Sequence, residues 1–140
     1  MSYKTERTSY KINNFSTNVE VEIKRLKAQV ALFCDKEFEI YRRFGLTDGM
    51  HILECGSGPG FVMEKIMTSL PVCHIVGIEI DPYLIGISGK YLKEKNFSRF
   101  EIVEDSIMDL RFPDNYFDYA IARLVLEHVT EFLAKCRYRY

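Results

Sequence analysis

The chain is 140 residues long, 47% hydrophobic and 28% charged, with 19 basic against 20 acidic side chains and a formal net charge of −1. This length and composition suit one globular domain. The near-neutral balance, with no basic stripe, argues against electrostatic capture of nucleic acid or of an anionic membrane surface.

Residues 1–18 are polar, lack the apolar core of a signal peptide and read as a loose arm. No apolar run approaches the roughly 20 residues needed to span a bilayer. From Val19 to Phe44, the residues Leu26, Val30, Phe33, Ile40 and Phe44 recur near helical spacing with charges between them, which predicts an amphipathic helix. Gly45 stands where a helix C-cap glycine belongs, and Thr47-Asp-Gly49 is turn chemistry. The organisation read from this is an arm (1–18), a lid or cap helix (19–45) and a core (46–140).

The pattern then changes. His51 to Cys55 is a short buried-type strand, followed at once by Gly56-Ser-Gly-Pro-Gly60. Helical spacing resumes from Phe61 to Leu70, and Pro71 ends it. His74 to Ile80 is a second apolar strand. Asp81-Pro82 is a helix start, with Asp as the capping residue and Pro at the first helical position, and the helix runs over 83–95. Phe100 to Glu104 reads as a third strand and Tyr116 to Ala122 as a fourth, entered through the turn residues Pro113-Asp-Asn115. A last helix is expected over 124–136. Strands alternating with helices at this pace predict an α/β fold with a parallel sheet and helices on both faces.

Cys34, Cys55, Cys73 and Cys136 are widely spaced, and no pair has the C-x-x-C spacing of a zinc or redox site. They read as free thiols in a reducing cytoplasm. His51, His74 and His128 add no metal-type spacing, so no metal is expected. Asn14-Phe-Ser and Asn96-Phe-Ser match the glycosylation triplet, by chance in a cytoplasmic chain.

The sharpest chemical signal is Glu54-Cys-Gly56-Ser57-Gly58-Pro-Gly60 between a strand and a helix. Alternate glycines let the backbone turn tightly and let a ligand lie almost against it, and the next helix aims its N-terminus at the same place. A phosphate loop would need Lys-Ser/Thr after the last glycine, which is missing. The dinucleotide fingerprint would need a small residue where Phe61 stands, and Pro59 removes an N–H donor. The spacing therefore suits a ligand without a phosphate.

Glu79 closes the second strand, where a carboxylate can accept both hydroxyls of a ribose. Asp81 is the alternative for that role, although its place before Pro82 suits capping. Asp105 and Ser106 close the third strand, where a carboxylate can accept from an exocyclic amine such as that of adenine, or simply end the strand in solvent. In an open α/β sheet these successive strand ends line one crevice.

At this point the residues resemble class I S-adenosylmethionine (SAM)-dependent methyltransferases. Glu54-Cys-Gly-Ser-Gly-Pro-Gly60 is similar to the family's first motif, and Gly77-Ile-Glu-Ile-Asp-Pro82 to the segment after it. Phe112-Pro-Asp-Asn-Tyr-Phe-Asp118 resembles the entry to the family's fourth strand. Ala122-Arg-Leu-Val-Leu-Glu-His-Val129 and Glu22-x-x-Arg25-Leu-x-x-x-Gln29 resemble two further segments of its small-molecule members. The resemblance implies a Rossmann-like sheet and SAM as cofactor. It implies that Glu54, Gly56, Ser57, Gly58 and Gly60 pass under the methionine part and that Glu79 binds the ribose. Asp105 and Ser106 would hold the adenine, with Ile80 and Ile107 against its faces. Arg123 and Leu124 would border the sulfonium and the methionyl tail, and Arg25 and Gln29 would approach the carboxylate from the N-terminal helix. His128 is either a general base or a residue packing at the crevice wall.

The family's sheet has seven strands in the order 3-2-1-4-5-7-6, and four are read here. The chain is therefore expected to be a truncated, cofactor-binding front half, with the fourth strand an open edge able to self-associate. The function expected is methyl transfer to a small-molecule acceptor, with no nucleic-acid or membrane partner. The alternatives are a non-catalytic SAM-fold module or fragment, and a nucleotide-dependent oxidoreductase.

Overall fold

The computed structural model describes residues 18–123. They form helix α1 (Val19–Arg43), strand β1 (His51–Cys55), helix α2 (Phe61–Ser69), strand β2 (His74–Glu79), helix α3 (Pro82–Glu94) and strands β3 (Phe100–Glu104) and β4 (Tyr119–Ala122). Residues 1–17 of the expected arm (1–18), the helix over 124–136, and Leu124, His128 and Cys136 lie outside the described residues.

The strands form one parallel sheet in the order β3-β2-β1-β4. Parallel strands are normally buried on both faces; the central β1 and β2 are, while the edge strands β3 and β4 each carry exposed residues. Ile52 and Ile75 are register partners and point into a cluster with Phe38, Met63, Ile66, Met67, Leu92 and Ile121. Leu53, Val76 and Ile78 alternate to the opposite face and are buried as well. The apolar run without alternation in the sequence has this as its cause.

The connections follow local chemistry. Asn18 caps α1 by accepting the Val21 N–H, and Gly45, at φ 104°, lets the Leu46 N–H turn back to the Tyr41 carbonyl. Asp81 caps α3 through the Tyr83 N–H (3.0 Å), with Pro82 at the first position. Arg99, just before β3, donates to the carbonyls of Met67, Leu70 and Cys73 (3.1, 3.0 and 2.8 Å). It thereby closes the C-terminal end of α2, whose last carbonyls have no partner within the helix.

Two expectations are corrected. The packed stripe of α1 is Val30, Cys34, Phe38 and Tyr41, whereas Phe33, Ile40 and Phe44 are 51, 49 and 79% exposed. Two apolar rows run along this helix, and the sheet takes the one holding Phe38. The fourth strand begins at Tyr119, not at Tyr116. Tyr116 and Phe117 instead join Phe112 and His51 in an aromatic cluster. The Asp118 carboxylate takes the His51 N–H (2.8 Å), a donor that further strand pairing would have needed.

Candidate functional site

The carboxyl ends of β3, β2, β1 and β4 line up along one edge of the sheet, where Glu54, the glycine turn, Glu79, Asp105, Ser106 and Arg123 close or follow the strands, whereas Arg25 and Gln29 lie on α1. Gly56 and Ser57 donate their N–H groups to the Ile78 carbonyl (2.8 and 3.0 Å), which folds the glycine loop over β2. Gly56, Gly58 and Gly60 have φ values of 72°, 53° and 90°, a region that side chains with a Cβ avoid. Gly60 then opens α2 without any capping side chain.

The loop can lie so close to β2 because residue 77 is glycine. A Cβ there would stand 2.7 Å from the Ser57 Cβ and 2.9 Å from the Met63 Sδ. A glycine within a strand signals such a close approach. That sign was present in Val-Gly-Ile, but the reading of the sequence attached no role to it.

Glu79 is buried and bound on both oxygens. Its Oε2 accepts the Gly58 N–H (2.8 Å), and its Oε1 accepts the N–H groups of Ile80 and Asp81 (2.9 and 3.0 Å). Burial raises its pKa, and the three backbone donors oppose that rise. Asp105 is its neighbour, donating its N–H to the Glu79 carbonyl (3.2 Å). The Asp105 carboxylate accepts the Ser106 N–H (2.8 Å), and the Ser106 hydroxyl accepts the Met108 N–H (3.2 Å). Ile80 and Ile107 are half-buried. The glycine loop and Asp105 thus each contact Glu79, the loop at its side chain and Asp105 at its backbone carbonyl.

Glu54 contrasts with Glu79. It is 3% exposed, and its Oε2 has no hydrogen-bond partner; the buried Ser57 hydroxyl lacks one too. Burial, together with the Glu79 charge, pushes the Glu54 carboxyl up to about 8, against an opposing pull from Arg123. An ionised carboxylate left like this is costly, which is why the carboxyl keeps its proton to so high a pH.

Arg123, immediately after β4, donates from Nε to the Glu37 Oε2 on α1 (2.6 Å). The Tyr41 hydroxyl donates to the same oxygen (3.3 Å), and the Tyr41 ring meets Tyr119 edge-on. No sequence pattern connected Glu37 or Tyr41 with the site. Arg25 forks onto Glu22 within α1 (2.9 and 2.6 Å), and Gln29 is half-buried about one turn further along. Among the described residues, no group of three or more His, Cys, Asp or Glu is placed to hold a metal ion. No helix among them is long and apolar enough to cross a membrane.

The chain matches the methyltransferase domain family over residues 53–137, more than half its length. It is 28% identical over 98 residues to phosphoethanolamine N-methyltransferase 2 of Caenorhabditis elegans, across 69% of this chain and 22% of that protein. It is 34% identical over 92 residues to a sterol 24-C-methyltransferase of Gibberella zeae, across 64% of this chain and 24% of that protein. The chain spans less than half the length of these curated relatives. A SAM-dependent methyltransferase from Aquifex aeolicus has the same fold, with a TM-score of 0.69 at 19% identity over 79% of this chain and 60% of that one. With its glycine turn at the exit of the central strand, this protein belongs to the methyltransferase domain family and has the fold of the class I SAM-dependent enzymes.

Proposed function

We propose that the chain carries the SAM-binding half of a methyltransferase acting on a small-molecule nucleophile. The observation that carries this reading is the buried, unpartnered Glu54 Oε2 beneath the glycine loop. Glu54, Glu79 and Asp105 put three carboxylates around one crevice. A pyrophosphate gains nothing from acceptor groups, whereas the ammonium of a sulfonium nucleoside's tail can draw the Glu54 proton off and pair with the carboxylate.

When bound, SAM supplies a methyl group on a sulfonium. The protein's part is positioning. Glu54 accepts from the ammonium, and the glycines let the ligand lie on bare backbone. Glu79 would accept from the ribose, Asp105 and Ser106 would meet the adenine amine, and Ile80 and Ile107 would meet its ring. Arg123 would border the methionyl tail. Glu79 has about four acceptor positions and uses three on backbone. One position therefore remains for a ribose hydroxyl, and the second hydroxyl competes with the Gly58 N–H.

The small-molecule acceptor is supported by the balanced charge of the chain. The unpaired Cys34, Cys55 and Cys73 fit a reducing, cytoplasmic setting. A SAM-binding module without turnover is the second reading. Calorimetric titration with SAM and with NAD, beside a labelled-methyl assay on small amines, thiols and phenols, tests both. SAM binding with turnover supports the enzyme, and SAM binding alone supports the module. Binding of NAD and not of SAM overturns both.

A further inference from the structure

Two carboxylates compete for Arg123. Glu54 lies on β1 with Ile121 of β4 as its register partner, and Arg123 follows Ile121 by two residues, on the same side by strand alternation. Arg123 acts on Glu54 electrostatically. A guanidinium within electrostatic reach of a buried, unpartnered carboxyl, and free to approach it, forms a forked ion pair unless something holds it elsewhere. Here Glu37 holds it. The 2.6 Å bond takes the inner donor, Nε, and among the described residues it is the side chain's one hydrogen bond. The pair is largely shielded, at 13% exposure for Arg123 and 30% for Glu37. Glu37 is itself steadied by the Tyr41 hydroxyl, and Tyr41 is tied back to β4 by the Tyr119 hydroxyl on its carbonyl (3.3 Å).

We propose that Glu37 is a positioning residue: it keeps Arg123 off Glu54, so that the ammonium and the carboxylate of an α-amino-acid tail each meet a separate charged partner. The inference rests on the SAM reading above. With Nε engaged, the outer Nη edge of Arg123 is left to take the tail's carboxylate, while the Glu54 Oε2 takes its ammonium. Without Glu37, Arg123 falls onto Glu54 and both partners of the tail are consumed.

The test compares S-adenosylhomocysteine, which has the amino-acid tail, with methylthioadenosine, which lacks it, by calorimetry on the wild type and on Glu37→Gln. The expected result is a loss of about tenfold or more for S-adenosylhomocysteine, corresponding to about 1.4 kcal/mol, with methylthioadenosine within twofold. The pH profile supplies a readout that a merely structural role would leave alone. In the wild type, affinity for S-adenosylhomocysteine rises toward pH 8, because binding an ammonium requires Glu54 to ionise. In Glu37→Gln, Arg123 ionises Glu54 beforehand, so that rise moves to lower pH or disappears. Arg123→Lys, which keeps the charge and loses the fork, is the second variant should Glu37→Gln fail to fold, with the same tail-selective loss expected. Equal weakening of both ligands, or no weakening of either, overturns the inference while leaving the cofactor reading in place. A wild-type protein that binds neither ligand overturns the cofactor reading and the inference with it.

Discussion

Glu54 and Glu79 stand at the exits of adjacent strands, both buried, and the protein treats them oppositely. Glu79 is filled from within by the N–H groups of Gly58, Ile80 and Asp81. Glu54 is offered none of this and keeps an orphaned oxygen. The difference lies in the backbone around them. The glycine loop is folded over β2 by the Ile78 carbonyl and directs its N–H at Glu79, and the start of α3 adds two more donors. One carboxylate therefore builds the crevice while the other waits in it. Stability and binding should separate along that line.

The largest effect is expected from Glu79→Ala. It removes the acceptor of three N–H groups, and bonds to a charged group are individually strong, so a loss of about 3–5 kcal/mol follows. Urea denaturation measures it; a loss below about 1 kcal/mol would show that the loop does not depend on Glu79.

Glu54→Gln sharpens the contrast through pH. The folded protein holds the Glu54 carboxyl near 8, above its ordinary value of 4.5. The unfolded chain therefore releases this proton first. The contribution of this group to stability is complete below about pH 4.5 and is lost as pH rises toward 8, by up to roughly 1.4 kcal/mol per unit. Urea midpoints between pH 5 and 8 should show the decline in the wild type and a flatter profile in Glu54→Gln. Equal slopes would mean that Glu54 is ionised and partnered after all.

Gly77→Ala tests the packed side alone. The added Cβ would meet Ser57 at 2.7 Å, so the loop must shift, at a cost of about 1–3 kcal/mol. Because the loop carries the Gly58 N–H, weakened S-adenosylhomocysteine binding should accompany the loss. A variant as stable as the wild type, with unaltered binding, would show that the loop tolerates displacement.

Much of this contrast was half visible in the sequence. The strands were legible because Ile52-Leu53 and Ile75-Val76 are buried on opposite faces, leaving unbroken apolar runs between glycine and proline punctuation. The glycine turn and the acidic strand ends were legible as chemistry. Their partners were not, because backbone donors carry no letter in the sequence. The apolar face of α1 was misread for a related reason. Phe33, Ile40 and Phe44 make as good a helical row as Val30, Cys34, Phe38 and Tyr41. The choice between them is made by Tyr119 and Arg123, which lie 78 and 86 residues along the chain from Tyr41 and Glu37.

Asp81 gives the smallest effect and the finest discrimination, because it was the rival of Glu79 for the ribose. Its Oδ1 is committed to the Tyr83 N–H at the start of α3, and its own N–H is committed to Glu79. Asp81→Ala removes the cap and leaves the N–H bond in place, so about 1 kcal/mol of stability should be lost. Asp81→Asn keeps a capping oxygen and should recover most of that loss. A ribose ligand would depend on the charge, since only an ionised carboxylate offers acceptors alone. Affinity for methylthioadenosine therefore separates the two roles. If Asp81→Asn binds it as the wild type does, Asp81 serves the helix. If Asp81→Asn weakens it tenfold while stability stays intact, the ribose belongs to Asp81, and Glu79 is left as the anchor of the loop.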